Sequence, residues 1–352
     1  MKGICSALIV FGMLIMPAHA MEVPGLEELW ETAEGYGVSA DTGLEDGLSA
    51  ILSEGAQLAK GLARTSLATG AKLLAVVLLC SLAQSVQAGG RPGSLQAVDL
   101  AGALAVTALT MTDIASMIGL GREAVGRMDL FSQTLLPVLT ILTAASGGIT
   151  SAAMRQAATI LFSQTLLAVM DRLLIPLVYA YVAVNCVQAA AGGQGLEKFS
   201  GMIKGMVNFL LTAILLSFVG YLTASGAIAG SVDMSKIKAA RMAISRAIPV
   251  VGGILADASE SVLVGAGILK STVGVAGVLV VLAICLTPFA HLAIHYLIYK
   301  ATAALCAVVA QPGLSRLIDA IGSAFGLVLG MTGASALLLL VSLVSAVSAA
   351  IP

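Results

Sequence analysis

The chain has 352 residues, of which 59% are hydrophobic and only 11% charged, and its mean hydropathy is +1.02. A soluble domain carries about 25% charged residues, so this composition excludes an ordinary water-facing surface and points to a protein whose solvent is the lipid bilayer. The formal net charge of −1, from 18 basic and 19 acidic residues, leaves no basic footprint for nucleic acid, and the five cysteines show no close-spaced pair that would suggest a disulfide framework or a zinc site.

In chain order, residues 1–20 place Lys2 before an apolar stretch, Ile4 to Met16, then Pro17 and Ala18-His19-Ala20, the pattern of a cleavable signal peptide. The competing reading is an uncleaved anchor. Residues 21–67 follow as an acidic segment with Glu22, Glu27, Glu28, Glu31, Glu34, Asp41, Glu45, Asp46 and Glu54 against only Lys60 and Arg64. So few basic residues give nothing to retain it in the cytoplasm, and export is expected. Apolar residues there recur at three- and four-residue spacing, for example Leu44, Leu48, Ile51 and Leu52, as amphipathic helices require. A docking arm and a solvated, membrane-surface linker both fit.

Residues 68–352 read as an all-α polytopic transmembrane bundle of about seven spans, with a range of six to eight. The expected spans are 70–88, 97–119, 130–150, 173–191, 206–229, 272–290 and 321–349. Ala157–Met170 is short and is followed by Asp171-Arg172, which suggests a half-helix. Ile248–Leu269, with Asp257 and Glu260, and His291–Val309, with Lys300, are poor spans taken alone. The basic cluster Lys236, Lys238, Arg241 and Arg246 assigns loop 231–247 to the cytoplasm, and five spans before it agree with an exported amino terminus.

Gly322, Gly326 and Gly330 recur every fourth residue and form one helix stripe; Gly226 and Gly230 repeat the spacing, and Gly201 and Gly205 precede them. Such stripes let helix backbones approach closely, either within the monomer or in self-association or contact with a partner helix. FSQTLL occurs at Phe131–Leu136 and again at Phe162–Leu167, which either is chance in a biased composition or marks a duplicated helical unit. Intramembrane ionisable groups are costly, so Asp99, Asp113, Asp257 and Glu260 are the candidate polar positions. Asp99 and Asp113 fall near the two ends of one span, where they either line a pathway or reach the interfaces. His291 and His295 have chelating spacing without an acidic companion, and no phosphate loop, nucleophile elbow or dinucleotide fingerprint occurs. No catalytic, cofactor or metal residue is therefore assigned.

Pro137–Ala153 (PVLTILTAASGGITSAA) joins a proline-bearing span to a Ser-Gly-Gly turn, and Ile248–Leu279 follows the basic loop. With the lead segment and the order of spans, these stretches resemble the stage III sporulation protein AE family of endospore formers. The resemblance implies a non-enzymatic membrane component of a channel complex between mother cell and forespore, needed for late forespore gene expression. It implies residence in the mother-cell membrane around the forespore. The implied partners are the lipid bilayer, the other stage III A proteins and stage II sporulation protein Q. From the residues alone, an autonomous permease for a small molecule or ion is the alternative.

Overall fold

The computed structural model describes residues 26–39, 42–87, 93–145, 149–192, 194–224, 272–309 and 312–350. Every regular element among them is helical. They are α1 (Leu26–Gly35), α2 (Leu44–Gln87), α3 (Gly93–Ala145), α4 (Ile149–Val169), a π-helical turn (Met170–Leu174), α5 (Ile175–Ala191), α6 (Gln194–Ala224), α7 (Thr272–Val309) and α8 (Pro312–Ala350). Six helices, with α4, the π turn and α5 counted as one, are long and apolar enough to cross a membrane.

Side-chain registers define the architecture. Asp113 meets Tyr299 and Met128 meets Cys285, so α3 and α7 run antiparallel. Gly277 faces Leu343, and Lys300 meets Asp319, which makes α7 and α8 an antiparallel hairpin. Ser66 lies by His295 and Ser81 bonds the Val309 carbonyl, so α2 runs parallel to α7. The helices thus alternate in direction. α8 is the central post, packed by α3, α4, α5, α6 and α7. α2 begins, α3 ends, α6 ends, α7 begins and α8 ends at one end of the bundle, called here the entry end; the opposite end is the far end.

Close approach needs small residues at particular places. A methyl group on Gly47, Gly55 or Gly70 of α2 would collide with Leu279, Leu286 or Thr302 of α7, and one on Gly121 of α3 would collide with Val328 of α8. Removing the Cβ lets these long helices lie against each other over many turns, where dispersion replaces the hydrophobic drive that lipid does not supply.

The exposed large apolar side chains concentrate toward the far end: Leu79 and Val86 on α2, Leu104 on α3, Val187 on α5, Phe199 on α6 and Val308 on α7. On α2 one lies apart at Leu52, and the rest run from Leu67 to Val86, about 30 Å at 1.5 Å per residue, the thickness of a bilayer's hydrocarbon core. Toward the entry end this girdle is interrupted by a polar belt, beyond which Leu130, Leu161 and Leu216 are again exposed: Arg122 pairs with Asp171 at 2.9 Å, and Arg127 pairs with Glu123 one turn along α3. This protein is a multi-pass membrane protein, and the girdle is its lipid-facing zone.

Several expectations are corrected. Spans 97–119 and 130–150 form one helix of 53 residues, because the intervening charges satisfy one another on the helix surface and need no loop. Span 70–88 extends back through the acidic segment to Leu44, so position 67/68 lies inside α2. Ala157–Met170 is no half-helix: Asp171-Arg172 lie in the π turn, where the Ile175 N–H reaches back to the Met170 carbonyl, and the helix continues into α5. Pro176 cannot donate a helical bond, which favours the shifted ladder just before it. His291–Val309 is the second half of α7, continuous with 272–290.

Among the described residues, four helices long and apolar enough to cross therefore precede residue 225, where five spans were expected. The helices flanking loop 231–247 end and begin at the entry end, where α2 also begins.

Candidate intramembrane polar site

Inside the girdle, toward its entry edge, the α7–α8 hairpin brings together residues 19 positions apart in sequence. Lys300 Nζ donates to Asp319 Oδ1 at 2.7 Å and to Ser323 Oγ at 2.8 Å, and lies 5.9 Å from the Tyr296 ring centre. Gly322 permits this contact. A Cβ there would stand 3.1 Å from the Tyr299 Cβ and 3.5 Å from the Lys300 backbone nitrogen. Lys204 of α6 approaches the same Ser323 hydroxyl at 3.4 Å. Among the described residues, no carboxylate lies within ion-pairing distance of Lys204. Two lysine side chains thus meet at a single serine, and one of them is paired with Asp319.

On the other side of α7, Tyr299 donates its hydroxyl to Asp113 Oδ2 at 2.7 Å. The Tyr299 ring stands edge-on to Phe325 at 5.0 Å, which fixes it against α8. An unrelieved charge within the apolar zone is costly, so the contacts among Asp113, Lys204, Lys300, Asp319 and their hydroxyl partners favour this layer.

Polar groups continue from this layer toward the far end. Tyr181 stands beside both Ser323 and Ser200. Asn185 Nδ2 donates to Ser200 Oγ and to the Tyr181 carbonyl, each at 2.7 Å. Asn185 and Gln188 then line a pocket between α5, α6 and α8 whose rim carries the Glu197–Arg316 pair at 3.1 Å. A line of donors and acceptors running from a pocket to a charged layer can hold water, relay a proton or admit a small anion.

The sequence-derived candidates distribute unevenly. Asp113 belongs to this layer, whereas Asp99 lies near the far end and accepts a hydrogen bond from Gln84 across the α2–α3 turn. Gly322, Gly326 and Gly330 are buried inside the chain, with Gly322 against α7. Gly201 and Gly205 face outward, with open space where a Cβ would stand. Gly226, Gly230, Lys236, Lys238, Arg241, Arg246, Asp257 and Glu260, with the signal peptide, lie outside the described residues. His295 pairs with the His291 carbonyl at 2.9 Å and stacks on Tyr299; no three potential metal ligands cluster among the described residues.

Asp319, Ser323, Lys204 and Tyr299 escaped the sequence reading as a site. One signal was available: the midpoint between Lys300 and Asp319 falls at Val309-Ala310, just before the turn-favouring Gln311-Pro312-Gly313 sequence, so reversing the chain near there sets them opposite each other.

Three comparisons bear on identity. The family model described as stage III sporulation protein AE matches residues 48–350. The protein of Bacillus subtilis (strain 168) named stage III sporulation protein AE is 27% identical over 188 residues, covering 53% of this chain and 47% of that protein. The matched stretch thus spans about half the length of that relative. No solved structure matches. With the family match extending from the first turns of α2 to the end of α8, the chain belongs to the stage III sporulation protein AE family.

Proposed function

We propose that this protein is a non-enzymatic membrane component of a channel complex that joins mother cell and forespore, that it resides in the mother-cell membrane around the forespore, and that late forespore gene expression depends on it. Its partners in this reading are the other stage III A proteins and stage II sporulation protein Q. The observation that carries the reading is the family match across the whole described bundle, from α2 to α8. The lipid-exposed outer face of α6, with Gly201 and Gly205 open and Met202, Met206 and Phe209 beside them, suits contact with another membrane helix. The test is complementation in a spore former lacking its own copy, with the tagged full chain isolated in mild detergent. Restored late forespore gene expression and recovery of the stage III A proteins with the tag support the reading; normal expression without this chain overturns it.

A second reading, an autonomous permease for a small ion, is favoured by one specific observation, the meeting of Lys204 and Lys300 at Ser323 beneath a polar pocket. Ion flux into proteoliposomes holding only this chain, lost in Lys204→Met, supports it. Impermeable proteoliposomes overturn it.

A further inference from the structure

The two copies of FSQTLL meet at one acid. Gln133, the third residue of the first copy, donates Nε2 to Asp129 Oδ2 at 2.8 Å. Gln164, the equivalent residue of the second copy, places Nε2 3.4 Å from each Asp129 carboxylate oxygen, and Ser163 donates its hydroxyl to Oδ1 at 3.2 Å. Helices α3 and α4 run antiparallel here, so the duplicated segments approach Asp129 from two sides.

The nearby basic residues are engaged elsewhere: Arg127 holds Glu123 and Arg122 holds Asp171. Among the described residues, no cationic side chain pairs with Asp129. Beside its carboxylate, between α3, α4 and α8, lies a cavity of about 10 Å³, the space of one water-sized sphere. Ser132 and Ser163, the equivalent second residues of the two copies, line it together with Ser335 of α8. The remainder of its wall is apolar, including Met128, Leu166 and Leu338.

We propose that Asp129 and the hydroxyls of Ser132, Ser163 and Ser335 form a binding site for a small dehydrated monovalent cation, of the size of sodium. The ligand set is oxygen throughout, which suits hard cations. One carboxylate balances one positive charge, whereas a divalent ion asks for further carboxylates, and those of Glu123 and Asp171 are committed to arginines. The cavity has room for about one water-sized sphere, so a bound ion sheds most of its hydration shell there, and the high field strength of a carboxylate favours the smaller sodium over potassium. Rotation of the Gln164 amide would add a carbonyl oxygen to the set. The site lies at the polar belt that interrupts the lipid-facing zone. The inference does not rest on the channel or the permease reading.

The test is thermal unfolding of the purified full chain in detergent, with sodium, potassium or choline chloride at fixed ionic strength. A ligand that binds only the folded state raises the Tm with concentration. The Tm is expected to rise and saturate with sodium alone. Asp129→Asn should abolish the rise, Ser335→Ala should raise the half-saturating sodium concentration about tenfold, the equivalent of about 1.4 kcal/mol, and Glu123→Gln should retain the response. Equal responses to the three salts in the unaltered protein, or a sodium response that survives Asp129→Asn, would overturn the site. Should Asp129→Asn fail to fold, radioactive sodium binding to the Ser132→Ala/Ser163→Ala variant decides: lost binding supports the site and undiminished binding overturns it.

Discussion

Helices α2 and α8 are nearly matched in hydropathy and opposite in use. The most apolar stretch of α2 has a mean hydropathy of 1.9 and is 22% buried, while that of α8 has 2.3 and is 94% buried. α2 shows leucines to lipid on its outer face and reserves Gly47, Gly55 and Gly70 for α7. α8 is covered on all sides, and serines and threonines such as Ser323, Thr332, Ser335 and Ser342 are buried along it. Lipid and protein interior are equally apolar, so hydropathy identifies a membrane helix without telling which neighbour it has. Residue size and buried hydroxyls separate the two.

The contrast can be broken most sharply by topology. α2 and α8 run in opposite directions, so the amino end of α2 and the carboxyl end of α8 share the entry end. Reporters inserted after Gly43 and after Ser345 should give the same all-or-none side assignment; opposite assignments would dismantle the bundle described here.

Next in size is overpacking of the central post. Gly322→Leu forces a side chain against the Tyr299 Cβ and the Lys300 backbone, and should destabilise the protein by about 3 kcal/mol, seen as a lower Tm or loss of the monodisperse species in detergent. The converse change on the lipid face, Leu79→Ala, should shift stability by less than about 0.5 kcal/mol. Equal effects from the two would erase the distinction between lipid-facing and core helices.

Charge removal sharpens the comparison further. Lys300→Met removes the cation of the half-exposed Asp319 together with the bond to Ser323, at an expected cost of about 1–2 kcal/mol because the Lys300 side chain is mostly buried, while the double change Lys300→Met/Asp319→Leu should recover much of it. At the polar belt Arg122→Ala should cost at most about 1 kcal/mol, because both partners of its pair with Asp171 are half exposed and water screens them. Thermal unfolding in one detergent ranks all these variants. A belt pair costing as much as the hairpin pair would place the lipid boundary elsewhere.

Legibility in the sequence followed local chemistry. The all-α membrane class was plain, because long apolar runs without period-two alternation permit only helices in lipid. Spans 173–191 and 321–349 were also readable, since α5 and α8 carry uninterrupted apolar runs there. The reading failed where charges fell between apolar runs. Arg122, Glu123, Arg127 and Asp129 looked like a loop, yet they sit on an unbroken helix because their partners come from α3 itself and from residues 163–171. The polar layer was half visible: Asp113 and Lys300 stood out as charges in apolar surroundings, but nothing local joins Lys204 to Ser323, 119 residues away.

The sequence by itself determined that this chain lives in lipid, that its spanning elements are helices, and to which family it belongs, because these properties follow from composition and from motifs a few residues long. Only the tertiary structure decided which helix is the post and which face the lipid, that residues 97–145 lie on one helix rather than two, and that two copies of one hexapeptide converge on Asp129. Those outcomes depend on contacts between residues far apart in the chain, where small side chains allow close approach and charges find partners that no local pattern names.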